Sequence, residues 1–443
     1  MIFVGGLPFS SNSSSSSSAP SSQSQPMNLL MALMEHPILV SASHSFKSIQ
    51  ERRVSASMDS DLTTSSNNPK YVYLFQREYA TVDPALVHIS IFLLLHIKVL
   101  TCDVQPAMLS LSISQLLFLH QLGVKCHGEV ILNAFTLFPS LHKKYVGTDE
   151  ATTCVGLVIR NRENGMTSVA HMDSPKFVDI GIIQMLSLVV DHNSHVDLDV
   201  HLVGGFEDVS PNHAKGTRQP EGNARMDGFS FPLCTKMVET LQKRQENFHV
   251  QTLCVLGHNT KTDSQGNAYP IFSGFLVECS TGSLIPASFD RNSQCPDEIV
   301  RRLRVSASYE DPSWHRKLLD TYDTKTDRFI IAPCSWTIRL VQIALSLQNL
   351  SDSEILSTCS TSPSAEGPDF VDNERRVWNY LIKHPDWKKT FPLRQPHVFE
   401  RTADGGWKRA DSQHQDKDIG PHEHISMDNV ISLSLRDIAS RDM

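Results

Sequence analysis

The stretch from Thr153 to Asp173 constrains this chain more than any other. Two apolar, β-branched runs, "TCVGLVIRN" and "MTSVAHMD", flank the turn cluster "RENG". β-Branched side chains suit a pleated surface, and Asn164-Gly165 supplies the backbone freedom a reversal needs. The pattern predicts a β-hairpin, and loop length then decides which side chains share a face. If Arg162 to Gly165 form a four-residue loop closed by Asn161 and Met166, Cys154 falls opposite Asp173. His171 is then its diagonal neighbour, roughly 7–8 Å away between Cα atoms. A loop one residue earlier, Asn161 to Asn164, sets His171 directly opposite Cys154, and a two-residue turn at Asn164-Gly165 draws the two apart by two further pairs.

A thiol beside an imidazole is what covalent catalysis at an acyl or amide carbon requires. The thiolate attacks, and the imidazole takes the thiol proton and returns it to the leaving nitrogen. Ahead of the thiol, "GTDEATTC" offers the hydroxyls of Thr148, Thr152 and Thr153 and backbone amides that could hold an oxyanion. Taken by residue type only, the pair fits a buried structural thiol better, because free cysteine is among the most buried residue types and the chain has nine cysteines and twenty histidines.

Composition narrows the classes. The net charge of −8 is spread without blocks, which argues against a nucleic-acid or anionic-membrane surface. Nine scattered cysteines without a CxxC pair read as reduced thiols, not as a disulfide framework or a zinc site. The serine-rich start, residues 9–26, lacks a basic n-region and an apolar h-region. It reads as a disordered linker, with an organellar transit peptide as the alternative.

Further along, "MNLLMALMEHPILVSASHSFKS" has the spacing of a short amphipathic helix, and Tyr71 to Ala80 reads as one strand. Residues 87–144 are leucine-rich and carry Asp103 and Glu129 as their acids. Their longest apolar run is shorter than the roughly 20 residues of a membrane crossing, and they lack helix caps. From Tyr145 the runs "LDVHLVGGF", "FHVQTLCVLGH" and "YPIFSGFLVECS" read as strands. "FPLCTKMVETLQKRQENF" reads as a helix with Leu233, Met237, Val238 and Leu241 on one stripe. Strands clustered among helices predict an α+β fold with a largely antiparallel sheet. Gly204-Gly205 predicts close backbone packing after a strand, not a phosphate loop. The polar end, residues 410–443, reads as a disordered tail.

The long strings decide between these readings. "VGTDEATTCVGLVIRNRENGMTSVAHMDSP", followed by "VHLVGGFEDV", "IPASFDR", "APCSWT" and "STSPSAEGPDFV", resembles the protein N-terminal asparagine amidohydrolases, in particular plant members. The resemblance runs from Tyr145 to about Trp407 and over the N-terminal part to about Leu86. It implies a layered β-sandwich flanked by helices, similar to bacterial chemoreceptor and toxin glutamine deamidases. It also implies deamidation of N-terminal asparagine in proteins to aspartate with release of ammonia, the aspartate feeding the ubiquitin-dependent N-degron pathway.

The same resemblance assigns Cys154 as nucleophile, His171 as base and Thr148 as a third, hydroxyl-bearing member. Thr153 and Ser335 are expected at the oxyanion or substrate, and Asp149, Glu150 and Asp173 are candidates for the substrate's α-amine. No cofactor and no metal are expected. The expected partners are proteins or peptides with N-terminal Asn and arginyl-transferase pathway components, with no nucleic acid and no membrane. A monomer in the cytoplasm, and in the nucleus as second compartment, completes the expectation.

The domain layout expected is an N-terminal region 1–70, the start of the catalytic domain at 71–86, an insert at 87–144, the catalytic domain 145–409 and the tail. In the family the chain passes from the equivalent of "REYATVDPALV" almost directly to "VGTDEATTC", so 87–144 reads as a retained intron or faulty gene model. Two other functions stay open: a catalytically silent protein that binds N-termini, and a thiol deamidase of internal glutamine.

Overall fold

The computed structural model describes residues 1–9, 25–55, 70–84, 144–190, 196–208, 228–402 and 405–410. The expectations for the serine linker, for 87–143 and for the tail lie outside them. Everything below concerns one unit, Met1–Lys408.

The hairpin forms, with Val155–Asn161 antiparallel to Thr167–Met172. Its loop is Arg162 to Gly165, closed by Asn161 N donating to Met166 O at 2.9 Å, and Gly165 takes φ +75°. The ladder starts at Val155 opposite Met172, so one further step sets Cys154 opposite Asp173. Of the three registers, the chain adopts the one with Cys154 and His171 as diagonal neighbours.

This hairpin is the centre of an eight-stranded sheet in the order Leu319–Asp320, Glu78–Val82, Thr167–Met172, Val155–Asn161, Asp197–Gly204, Asn247–Cys254, Ile2–Val4, Leu7–Pro8. The sheet is mixed, not largely antiparallel. Asp197–Gly204 runs parallel to Asn247–Cys254, which runs parallel to Ile2–Val4. The helix that follows Phe229 and the loop before Asn247 return the chain to the same end of the sheet, which a parallel neighbour requires.

Alternation sends the two faces of the hairpin to different layers. Val155, Leu157, Ile159, Ala170 and Met172 pack under the helices Gln25–Met34, Pro175–Val189 and Ser230–Lys243. The predicted stripe Leu233, Met237, Val238 and Leu241 is buried there. Val158 and Val169 face a second, five-stranded sheet in the order Arg52–Val54, Ser283–Phe289, Phe275–Glu278, Lys144–Thr148, Lys70–Tyr73. The two sheets approach so closely that a Cβ on Gly156 would lie 2.0 Å from Phe275 Cε1. Helices Glu298–Ala307, Ile338–Leu347 and Phe370–Lys383 contribute to this second core. The whole is mixed α and β, with several sheets and helices, compatible with α+β.

Three predicted elements are broken. Tyr71 to Ala80 is two strands in two different sheets, Lys70–Tyr73 and Glu78–Val82, with Arg77 at φ +66° between them. The N-terminal helix is two helices, because Pro37 cannot continue a helix but suits the first turn of a new one. "YPIFSGFLVECS" splits into Ala268–Pro270 and Phe275–Glu278 around Ser273-Gly274, where a glycine Cβ would lie 2.6 Å from Thr148 O.

Candidate active site

Three segments converge where the two sheets meet. Lys144–Thr148 ends at Thr148, the loop Asp149–Cys154 crosses between the sheets, and Cys154 stands directly before the central strand Val155–Asn161. The loop is held along its length. Asp149 Oδ1 accepts from Tyr73 Oη at 2.6 Å, and its Oδ2 accepts from Phe289 N at 2.6 Å. Glu150, at φ +60°, receives Arg302 on both oxygens at 2.7 and 2.9 Å. Ala151 N donates to Ser273 O at 2.8 Å, and Ser230 Oγ donates to Thr153 O at 3.3 Å. Gly204, at φ +114°, allows the neighbouring strand to run under Cys154, since a Cβ there would lie 2.7 Å from Cys154 O. The expected role of Gly204-Gly205 in close packing is what the structure shows.

Thr148, Cys154 and His171 are all buried, with 0, 9 and 1 % of their surfaces exposed. Thr148 Oγ1 stands 2.7 Å from His171 Nδ1 and 2.7 Å from Leu74 O. A hydroxyl has one proton, and a carbonyl oxygen only accepts. Thr148 therefore donates to Leu74 and accepts from His171 Nδ1–H, which fixes the imidazole tautomer. The other ring nitrogen, Nε2, is left with its lone pair bare, buried and without a hydrogen-bond partner among the described residues. Since His171 pairs with Gly156, two residues past Cys154 on the same face, Nε2 belongs to the face that carries the thiol.

Both groups are neutral at rest. Burial pushes the Cys154 thiol well above its ordinary range, and the charges of Asp173 and Glu366 add to this against Arg77. Burial brings the His171 imidazole down to about 4, against the pull of Asp173, Glu150 and Glu78. At neutral pH the site holds a thiol and a free base, not a preformed ion pair.

The other expected residues are otherwise engaged. Asp173 is in a buried ion pair with Arg77, 2.5 Å at Nη2, and accepts from Tyr309 Oη at 3.1 Å. Arg77 is itself clamped between the Phe177 and Tyr309 rings, 3.9 and 3.7 Å from their centroids. Burial, then the charge of Glu150, raises Asp149 to about 7. Thr153 Oγ1 lies 2.8 Å from Thr361 Oγ1, and Ser335 gives its amide and hydroxyl to Asp311 at 2.7 and 2.8 Å. Thr148, Cys154 and His171 are thus brought together, Thr153 adjoins them, and Ser335 is tied to another loop.

Sequence reasoning overlooked Thr361 and Glu366, although both lie in the quoted string "STSPSAEGPDFV". That Thr361 touches Thr153 is a contact across 208 positions, and no local pattern reveals it. Among the described residues no group of three or more His, Cys, Asp or Glu side chains could hold a metal ion, and no helix is long and apolar enough to cross a membrane.

The sequence model described as protein N-terminal asparagine amidohydrolase matches residues 134–409. The chain is 54 % identical over 409 residues to the protein N-terminal asparagine amidohydrolase of Arabidopsis thaliana, which covers 92 % of this chain and 100 % of that one. It is 32 % identical over 272 residues to the Mus musculus protein of the same name and 30 % identical over 270 residues to the Homo sapiens one. Each of those alignments covers 60 % of this chain and 78 % of the relative. The chain belongs to the protein N-terminal asparagine amidohydrolase family.

Proposed function

We propose that this chain hydrolyses the side-chain amide of asparagine at a protein's N-terminus, leaving aspartate and releasing ammonia. One observation carries the reading beyond family membership: the Thr148–His171 hydrogen bond that leaves Nε2 as a buried, unpartnered base on the face of Cys154. The thiol proton passes to Nε2 as sulfur attacks the asparagine Cγ, so charge develops only when substrate is in place. The oxyanion is met by the amides of Thr153 and Cys154, which bond to no acceptor among the described residues. The imidazolium then protonates the departing nitrogen. Water, deprotonated by the same Nε2, cleaves the thioester to aspartate and restores the thiol.

The facing sheets with helices outside are the layered arrangement expected of a relative of the bacterial glutamine deamidases, and the same cysteine–histidine geometry supports that kinship. An N-terminal aspartate can be arginylated, so the proposed reaction feeds the N-degron pathway with arginyl-transferase components downstream, and cytoplasm and nucleus are the compartments proposed for it. The test is ammonia release from peptides beginning Asn, Gln and acetylated Asn, with Cys154→Ala as control. Release from free Asn that Cys154→Ala abolishes supports the reading; release from acetylated Asn at the same rate sinks the N-terminal specificity. The same assay on a chain lacking residues 88–143, which keeps the strand Lys144–Thr148 whole, tests whether that segment is foreign to the fold: activity lost with it would reject a retained intron.

A further inference from the structure

We propose that the Glu366 carboxylate receives the α-ammonium of the substrate's first residue and, by fixing that nitrogen beside the thiol, sets which side-chain length can react. The proposal rests on the deamidase reading above.

Glu366 is attached to the catalytic loop by a short relay. Thr361 Oγ1 touches Thr153 Oγ1 at 2.8 Å, one residue before the nucleophile. Ser360 Oγ accepts from Ser362 N at 2.9 Å and donates to Glu366 Oε1 at 2.5 Å, and Ala365 N closes the turn onto Ser362 O at 2.9 Å. The relay brings the carboxylate near enough to the thiol that its charge is one of the two that act against ionisation of Cys154. His171 Nε2, 1 % exposed and unpartnered, lies on the face that carries the thiol, a second polar group left for a ligand.

The three acids first expected at the α-amine are committed. Asp173 has Arg77, Glu150 has Arg302, and Asp149 is bonded to Tyr73 and to the Phe289 amide. Glu366 has no cation within ion-pair distance among the described residues. Its surroundings make this conspicuous: burial, then the charge of Glu150, raises Glu366 against the Ser360 hydrogen bond, and burial together with Glu366 and Glu150 raises Glu374 to about 7 against Arg302. A primary ammonium supplies the missing positive charge and a charge-assisted hydrogen bond; an acetylated terminus supplies neither.

In N-terminal asparagine the α-nitrogen is three bonds from the amide carbon, and in glutamine it is four. A methylene in a plain apolar pocket is worth only roughly 1–3 kcal/mol. With the ammonium pinned, however, the extra bond moves the reacting carbon past the sulfur, and displacement by about 1 Å costs on the order of a hundredfold in rate. The anchor thus acts as a ruler.

The experiment uses the full-length protein and three peptides, beginning Asn, Gln and acetylated Asn. Glu366→Gln should raise KM for the free Asn peptide by about 10- to 100-fold and leave kcat within about threefold. Glu366→Asp, which withdraws the anchor by one methylene, should raise the Gln-to-Asn ratio of kcat/KM by about tenfold. In parallel, calorimetry on Cys154→Ala protein should show binding of free over acetylated Asn peptide, and adding Glu366→Gln should abolish that preference. An unchanged KM, a fall in kcat with KM intact, or a preference that survives Glu366→Gln would overturn the proposal. Absent ammonia release from the wild type, with a Glu366-dependent binding preference, would instead refute the deamidase reading and leave the anchor standing.

Discussion

Two buried polar clusters meet at the bend Leu74–Glu78, and they are built on opposite plans. In one, Arg301 and Glu78, both with fully buried side chains, form an ion pair that is bonded on nearly every side. Glu78 Oε2 accepts from Arg301 Nη2 at 2.5 Å and from Phe75 N at 2.9 Å, and Arg301 also reaches Tyr73 O at 2.5 Å. Arg77 and Asp173 extend this cluster. In the other, Thr148 and His171 carry no formal charge, and Nε2 of His171 is left without a partner. The same bend serves both: Leu74 O receives Thr148, and Arg77 N donates to His171 O at 2.8 Å. The saturated cluster fixes where the backbone runs, while the unsaturated one keeps a base ready. Leaving a buried polar atom unpaired costs about 1–3 kcal/mol, a cost consistent with a group reserved for a reaction. Arg304 departs from the first plan, since its nitrogens have no hydrogen-bond partner among the described residues and Glu78 stands 3.7 Å away.

If the contrast is right, mutations in the two clusters should separate stability from catalysis. Glu78→Gln removes one member of the buried ion pair and leaves the Arg301 guanidinium uncompensated, so unfolding in urea should show a loss of about 3–5 kcal/mol. Any fall in activity should follow the folded fraction. A variant as stable as the wild type would erase the distinction between the clusters.

His171→Asn should do the reverse. The amide nitrogen can keep the bond to Thr148, but no base remains, and ammonia release should fall roughly a thousandfold with stability at pH 7 within about 1 kcal/mol. The pH dependence has a definite sign. The imidazole is lowered to about 4 in the folded chain from 6.5, so between those values the unfolded state binds the proton first. The wild type should therefore lose stability relative to His171→Asn as pH falls from about 6.5 to about 4, by about 3 kcal/mol in all. The acid limb of kcat should also lie near 4. A stability difference flat across that window would show that His171 is charged in the folded protein.

The two clusters also differ in how far the sequence announces them. Val155, Leu157 and Ile159 alternate with Gly156 and Val158, so the hairpin at "RENG" and three candidate registers follow from local pattern, while the choice of the four-residue loop that makes Cys154 and His171 diagonal neighbours comes from the structure. Thr148 was assigned by resemblance, and the geometry supplies the physical reason for a hydroxyl there. The ionic cluster was invisible. Arg301 lies 223 positions from Glu78, and the bend that joins them falls inside a run whose β-branched and aromatic residues read as one strand. Nothing local marks Arg77 for φ +66°, because tertiary bonds hold it there. The helices at 338–383 were likewise left unassigned, since several of their side chains serve a core assembled from distant strands.

The finest test lies within the catalytic cluster and concerns one proton. Thr148→Val keeps the shape of the side chain but removes the acceptor that holds the proton on Nδ1. The imidazole is then free to carry its proton on Nε2, where it blocks the thiol proton instead of receiving it. Part of the population becomes incompetent, and kcat should fall about 10- to 100-fold while KM stays put, because Thr148 is 0 % exposed and meets no substrate. The orphaned Leu74 carbonyl should cost about 1 kcal/mol of stability, far below the loss in Glu78→Gln. Thr148→Ser restores the hydroxyl and should restore kcat to within a few-fold. If Thr148→Val keeps full kcat, the tautomer is set by something other than Thr148. If Thr148→Ser is as poor as Val, the methyl group matters more than the hydroxyl, and the cluster holds its base by packing and not by a hydrogen bond.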